Sequence, residues 1–263
     1  MSKKPTLGIF SLTSCAGCQF NLLFLGQELL KILDKFDIIH FPMAKEDNDE
    51  GPFDICLVEG TATSQEEIEK LKEIRNKSKI LIAFGSCASY GGVPSIKNFL
   101  NLQEVIEDVY EFPANIKSIR CVSIGDFVKV DYYLHGCPFD KRELVKVLSD
   151  YLLNKKSTES DFPICIECRM RENVCLLQQG KPCMGPITHG DCNVICPGFG
   201  IPCYGCRGPI TDGNIDAQVE LMKKQGFKMK DIVRYFVKFA GTSKMFEKYV
   251  CPIPGKEKVK PKK

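Results

Sequence analysis

The sequence predicts an α/β protein in two parts. A doubly wound parallel sheet is expected over residues 1–153, and a cysteine-rich, loop-dominated unit with short helices over 162–263, ending in two helices and a basic tail. Three observations carry this. Apolar runs of strand length alternate with amphipathic stretches through the first half. Eight of the 42 residues from Cys165 to Cys206 are cysteines, and Gly and Pro recur in the latter part of that segment. A polar run, Asn154 to Asp161, separates the two and marks the expected boundary.

The elements follow in order. Leu7 to Phe10 is a short apolar run that reads as a first strand, buried on both faces. Ser11 to Cys18 is a loop. Gln19 to Leu33 reads as one helix, with Leu22, Leu25, Leu29, Ile32 and Leu33 on one face and Asn21, Gln27, Glu28 and Lys31 opposite. Asp37 to Phe41 and Asp54 to Glu59 are the second and third strands. Ser64-Gln65-Glu66-Glu67 is a capping box, opening a helix to about Asn76. Lys79 to Phe84 is the fourth strand and runs into Gly85-Ser86-Cys87-Ala88. An irregular stretch reaches Val128. Val130 to Leu134 then leads into His135-Gly136-Cys137-Pro138, and a helix follows from Asp140 to about Leu153.

Strand polarity makes a further point. Cys15, Cys18, Cys87 and Cys137 all lie in loops that follow strand ends. In a parallel sheet those loops share one edge, where ligands of such sheets bind. Three loops far apart in sequence would thus bring four thiols together.

The segment Cys165 to Cys206 lacks a long apolar period and should need disulfides or metal to hold it. No apolar run of leader length follows Met1-Ser2-Lys3-Lys4-Pro5, so a reducing, cytoplasmic setting is expected and metal is favoured. Two CxxC pairs, Cys165/Cys168 and Cys203/Cys206, would suit a zinc ribbon. Eight thiols at irregular spacing, with proline after Cys196, suit iron–sulfur cubanes better.

Other readings are bounded by composition. The net charge of +3 owes much to the tail Lys256 to Lys263, and gives no footprint for a nucleic-acid partner. No apolar run approaches the length of a membrane span. A flavin phosphate would fit the Ser11–Ser14 loop by position, yet Cys15 and Cys18 share that loop and their charge opposes it. His40, His135 and His189 are too scattered for a catalytic set. His135 is expected to pack, or to donate a hydrogen bond near Cys137. Glu59 is expected to cap or bind the next loop, with proton relay or partner contact as the functional alternatives. Asp216 to Gln225 and Met229 to Ala240 read as helices. The stripe Met229, Ile232, Val233, Phe236, Val237 and Ala240 is expected to be core or partner contact.

With TSCAGC, GSCA and HGCP in the first half, and PICIECR, GDC, CPGFG and CYGCRG in the second, the chain resembles the small subunit of nickel–iron hydrogenases. The likeness is greatest to the delta subunit of the soluble sulfhydrogenase, NAD(P)-linked type, and covers nearly the whole chain. It implies a flavodoxin-like first domain and three [4Fe-4S] clusters. The proximal cluster would use Cys15, Cys18, Cys87 and Cys137. The distal would use Cys165, Cys168, Cys175 and Cys183, and the medial Cys192, Cys196, Cys203 and Cys206. Cys165 stands where the respiratory branch has a histidine ligand, and Cys196 where that branch has a proline. The resemblance further implies an electron relay without a catalytic centre of its own, paired with a large subunit carrying the nickel–iron site. Iron–sulfur and flavin subunits binding NAD(P) would accept the electrons. Coupling to a heterodisulfide reductase or a deazaflavin, and a free-standing polyferredoxin-like carrier, are the alternatives. Cys56, Cys121 and Cys251 are left over and expected not to be ligands.

Overall fold

The computed structural model describes residues 4–24 and 26–250. Leu25, Cys251 and the basic tail lie outside the described residues.

Five strands make one sheet: β1 (Thr6–Ser11), β2 (Asp37–His40), β3 (Phe53–Glu59), β4 (Ser78–Phe84) and β5 (Tyr132–Leu134). Their order is β2-β1-β3-β4-β5, and all four pairings are parallel. This is the flavodoxin-like winding. Among the described residues the α-helices are, in chain order, α1 (Gly17–Leu23), α2 (Gln27–Leu33), α3 (Gln65–Lys77), α4 (Ser86–Tyr90), α5 (Leu102–Val109), α6 (Lys141–Leu152), α7 (Ile164–Met170), α8 (Ile195–Gly198), α9 (Ile215–Lys224) and α10 (Met229–Ala240).

The two-residue period of the strands sorts the apolar side chains. Leu7, Ile9, Ile55, Leu57, Ile82 and Phe84 pack with α1, α2 and α6 on one face. Phe10, Cys56, Val58, Leu81 and Ala83 pack with α3 and α4 on the other. Covering both faces forces the connections out to the sheet ends. Cys56 is fully buried in the second face, as a small hydrophobe would be. Ser64 caps α3, accepting a hydrogen bond from Glu67 N at 3.3 Å.

Four expectations change. The single helix over Gln19–Leu33 is broken, because Gly26 sits in an extended conformation as the N-cap of α2. β5 starts at Tyr132, two residues late, because the Asp131 carboxylate takes the Leu81 N–H at 2.9 Å. The irregular stretch after β4 contains α4, α5 and a 3-10 turn over Val93–Phe99. The cysteine-rich segment also has an apolar core. Ile164, Leu176, Met184, Ile187 and Val194 are buried with Val219 and Met222 of α9 and with Ile232, Phe236 and Ala240 of α10. Those of the cysteine-rich segment follow no single period because they lie on loops and at the edges of short helical turns, so the pattern in the sequence does not reveal them. The α10 stripe is thus core.

Candidate metal centre

The C-terminal ends of β1, β4 and β5 deliver the three connections that hold the first four thiols. Cys18 lies in the first turn of α1. That seven-residue helix starts beside buried Glu59, the last residue of β3. Glu59 accepts from Cys18 N at 2.9 Å, Gln19 N at 3.3 Å and Gln19 Nε2 at 3.0 Å. A carboxylate from a neighbouring strand therefore satisfies the free N–H groups of α1, whose own N-cap, Ala16, has no side chain to do so. From the sequence Glu59 is expected to cap or to bind the loop that follows it; it does cap, but at α1 and not in that loop.

Cys15, Cys18, Cys87 and Cys137 are brought together. Burial raises the Cys18 thiol pKa well above its ordinary value, with Glu59, Cys137 and Cys87 adding to the rise. Cys87 is pushed up to about 12 by burial, then by Cys137 and Cys15. Cys137 rises for the same reasons, burial first and then Cys15 and Glu59. The backbone presses on these sulfurs. A Cβ on Gly85, where φ is +90°, would lie 2.4 Å from Cys18 Sγ. One on Gly92, where φ is +52°, would lie 2.6 Å from Cys87 Sγ. Only glycine fits either position.

The second half forms two further groups. Cys165 and Cys168 are carried by α7. The sulfurs of Cys165 and Cys183 both lie within 3.5 Å of the point a Gly185 Cβ would occupy. Cys165 is pushed up to about 12 by burial and by Cys183, Cys168 and Cys175. Cys192 is pushed up to about 11, mainly by burial, with Cys206 also raising it. Cys203 is raised well above its ordinary value by burial, Cys206, Cys183 and Cys192, and Cys206 by burial, Cys137 and Cys196.

The groups also touch in sequence. Cys206 is influenced by the charge and backbone of Cys137, which joins the first group to the set Cys192, Cys196, Cys203 and Cys206. Cys203 N donates to Cys183 Sγ at 3.3 Å, which joins that set to Cys165, Cys168, Cys175 and Cys183. The groups are thus neighbours, one link running from Cys137 to Cys206 and the other from Cys203 to Cys183.

Buried thiols that repel one another's charge need a cationic centre to hold them as thiolates. Among the described residues no three His, Cys, Asp or Glu side chains converge as ligands of a single ion would. Buried donors without protein partners, Asn173 Nδ2 and Arg207 Nε, lie next in sequence or nearly so to Cys175 and Cys206. They could serve acceptors on such a centre. Cys56 and Cys121 are fully buried, and none of the twelve thiols is among the influences on either.

The histidines pack. His135 is buried in a stack with Tyr90, Tyr133 and His189, at ring-centroid distances of 5.2, 5.9 and 5.0 Å. Its Nε2 lies 3.5 Å from Glu159 Oε2. His40 stacks on Phe10 at 4.1 Å, in the wall of a cavity of about 360 Å³ beside Ser11. Two features were not read from the sequence: Glu59 as a cap borrowed from another strand, and the pairing of Arg207 with Glu143. Each depends on contacts between residues 40 or more positions apart. Each has a signal only in hindsight, a charged residue inside an apolar or small-residue context.

Residues 15–151 match the family model described as NADH ubiquinone oxidoreductase, 20 Kd subunit. The chain is 40% identical over 220 residues to the sulfhydrogenase 2 subunit delta of Pyrococcus furiosus, covering 83% of this chain and 92% of that one. It is 32% identical over 244 residues to a vhu subunit of the F420-non-reducing hydrogenase of Methanocaldococcus jannaschii, covering 80% and 83%. Among solved structures, a chain of an NAD+-reducing [NiFe]-hydrogenase in the H2-reduced state superposes with a TM-score of 0.53 at 26% identity. The match covers 59% of this chain and 95% of that one.

Proposed function

The chain belongs to the family of the 20 kDa subunit of NADH:ubiquinone oxidoreductase and is a small subunit of the nickel–iron hydrogenase type; from that premise we propose that it is the electron relay of its complex, holding three [4Fe-4S] clusters. Cys15, Cys18, Cys87 and Cys137 would hold the proximal cluster. Cys192, Cys196, Cys203 and Cys206 would hold the medial one, and Cys165, Cys168, Cys175 and Cys183 the distal one. We further propose that residues 1–153 and 162–263 are the two domains serving these sites, in a cytoplasmic protein.

The observation that carries the reading is the chain of three thiol sets linked through Cys137 with Cys206 and through Cys203 with Cys183. When bound, such clusters take up and give back single electrons. The protein's part is to fix the thiols, exclude water from Cys18, Cys183 and Cys203, and supply hydrogen bonds to sulfur. Gly205 N donates to Cys203 Sγ at 3.4 Å in this way.

Exposed apolar side chains flank both ends of the chain of thiols. Phe20, Leu23 and Phe24 stand out from the α1 region beside Cys15 and Cys18, and Phe24 is 76% exposed. Ile166, Met170 and Val174 stand out around Cys165, Cys168 and Cys175. Large apolar groups in the open suit protein partners. The first patch would receive the large subunit with the nickel–iron site, and the second an iron–sulfur and flavin partner that binds NAD(P). The likeness to an NAD+-reducing hydrogenase supports that acceptor.

Metal analysis tests the cluster content. Anaerobically purified protein should hold about twelve irons per chain, from three four-iron clusters. Zinc in place of iron would overturn the proposal.

A further inference from the structure

Arg207 is 1% exposed, and no other Lys or Arg is buried among the described residues. Its Nη2 donates to Glu143 Oε2 at 2.8 Å and its Nη1 to the His135 carbonyl at 2.7 Å. Tyr132 OH donates to the other Glu143 oxygen at 3.1 Å. The Nε of Arg207 is buried with no protein partner. Replacing a buried ion pair by apolar residues of similar volume is often neutral or stabilising. Stability alone therefore gives little reason to place a guanidinium here.

The location gives a better one. Arg207 follows Cys206 directly, and its charge acts on both Cys206 and Cys192. Its ion-pair partner Glu143 stands on α6. Burial keeps water from screening that field.

Resting on the cluster assignment above, we propose that Arg207 is a fixed cation that raises the reduction potential of the cluster held by Cys192, Cys196, Cys203 and Cys206, and that Glu143 moderates it. A nearby positive charge favours the reduced, more negative cluster, and a free Nε–H adds a donor for one of its sulfurs. Glu143 cancels part of that charge. The two residues therefore push the potential in opposite directions, which a purely structural clamp would not do.

The test is a redox titration of the intact hydrogenase complex, followed by electron paramagnetic resonance, with iron measured for each variant. Arg207→Gln should move the midpoint of that one cluster to more negative values. Glu143→Gln should move it to more positive values. Arg207→Lys, which keeps the charge, should stay near the unsubstituted protein even if it melts earlier. Midpoints that stay put, or shift in the same direction for Arg207→Gln and Glu143→Gln, overturn the proposal. So does a shift confined to another cluster. If Arg207→Gln loses iron, Glu143→Gln decides, because it leaves the guanidinium in place. Absence of iron in the unsubstituted complex would sink the cluster assignment itself; full iron with unmoved midpoints sinks only the role of Arg207.

Discussion

Single residues around the thiols are held to tight tolerances. Gly85 and Gly92 combine positive φ with sulfur packed where a side chain would begin. Gly85→Ala should therefore disrupt the first set of thiols. Iron per chain should drop by about four, the content of one cluster, with the other two signals retained. Full iron in this variant would mean that the first set tolerates a shift of backbone that its packing forbids. Cys56→Ala is the counterpart. Cys56 is fully buried on the α3 side of the sheet, so the change should cost about 1 kcal/mol in chemical denaturation and no iron. Loss of iron there would place a ligand in the core. The convergence of Cys15, Cys18, Cys87 and Cys137 could be read in the sequence because strand-end cysteines signal locally. The glycines could not. GSCA and GG read as loops, and what makes glycine obligatory is a sulfur of Cys18, on α1 far back in the chain, or the sulfur of Cys87.

Elements are positioned by a few polar groups that reach across them. Arg75, in the last turn of α3, donates to the Ser78, Lys79 and Lys129 carbonyls and to Asp131, so one side chain ties α3 to β4 and to the entry of β5. Burial opposes the charge of Asp131, but the Leu81 N–H and Arg75 outweigh it and hold its carboxyl below the ordinary 3.8. A carboxyl depressed in the folded state stabilises above its unfolded value and loses that contribution as pH falls through the folded one. Asp131→Asn should accordingly cost about 1–2 kcal/mol at pH 7, and the gap to the parent should close as urea melts are taken below pH 3.8. A gap that persists unchanged to about pH 3 would show that charge is not its source. Strand positions and most helices were legible at this scale because short apolar runs alternate with amphipathic stretches. The break between α1 and α2 was less so. A continuous leucine stripe hid the cost of Gly26, and the cap that starts α1 comes from β3.

Across the whole molecule, the halves on either side of residues 154–161 are stitched around the thiols. Ser86 Oγ donates to the Cys206 carbonyl, Thr242 Oγ1 donates to the Tyr90 carbonyl at 2.7 Å, and Tyr133 N donates to Glu159 at 3.0 Å. A polar linker in the sequence reads as a simple boundary. It does not reveal that Glu159 and Ser160 are themselves anchored, because their partners at Tyr133 and His189 belong to the flanking elements. The three sets of thiols differ in one respect that bears on time. The first gathers Cys15, Cys18, Cys87 and Cys137, so it exists only once β1, β3, β4 and β5 lie side by side. The other eight thiols come from one short segment. Contacts distant in the chain form late, because closing a long loop costs entropy before any pairing repays it. On dilution from denaturant into anaerobic iron and sulfide, the signals of the two C-terminal clusters should rise first, and that of the sheet-edge cluster should lag. Simultaneous appearance of all three would contradict this order. With that lag, the cluster at the large-subunit face would be the last to form, so its completion would report that the sheet beneath it has finished folding.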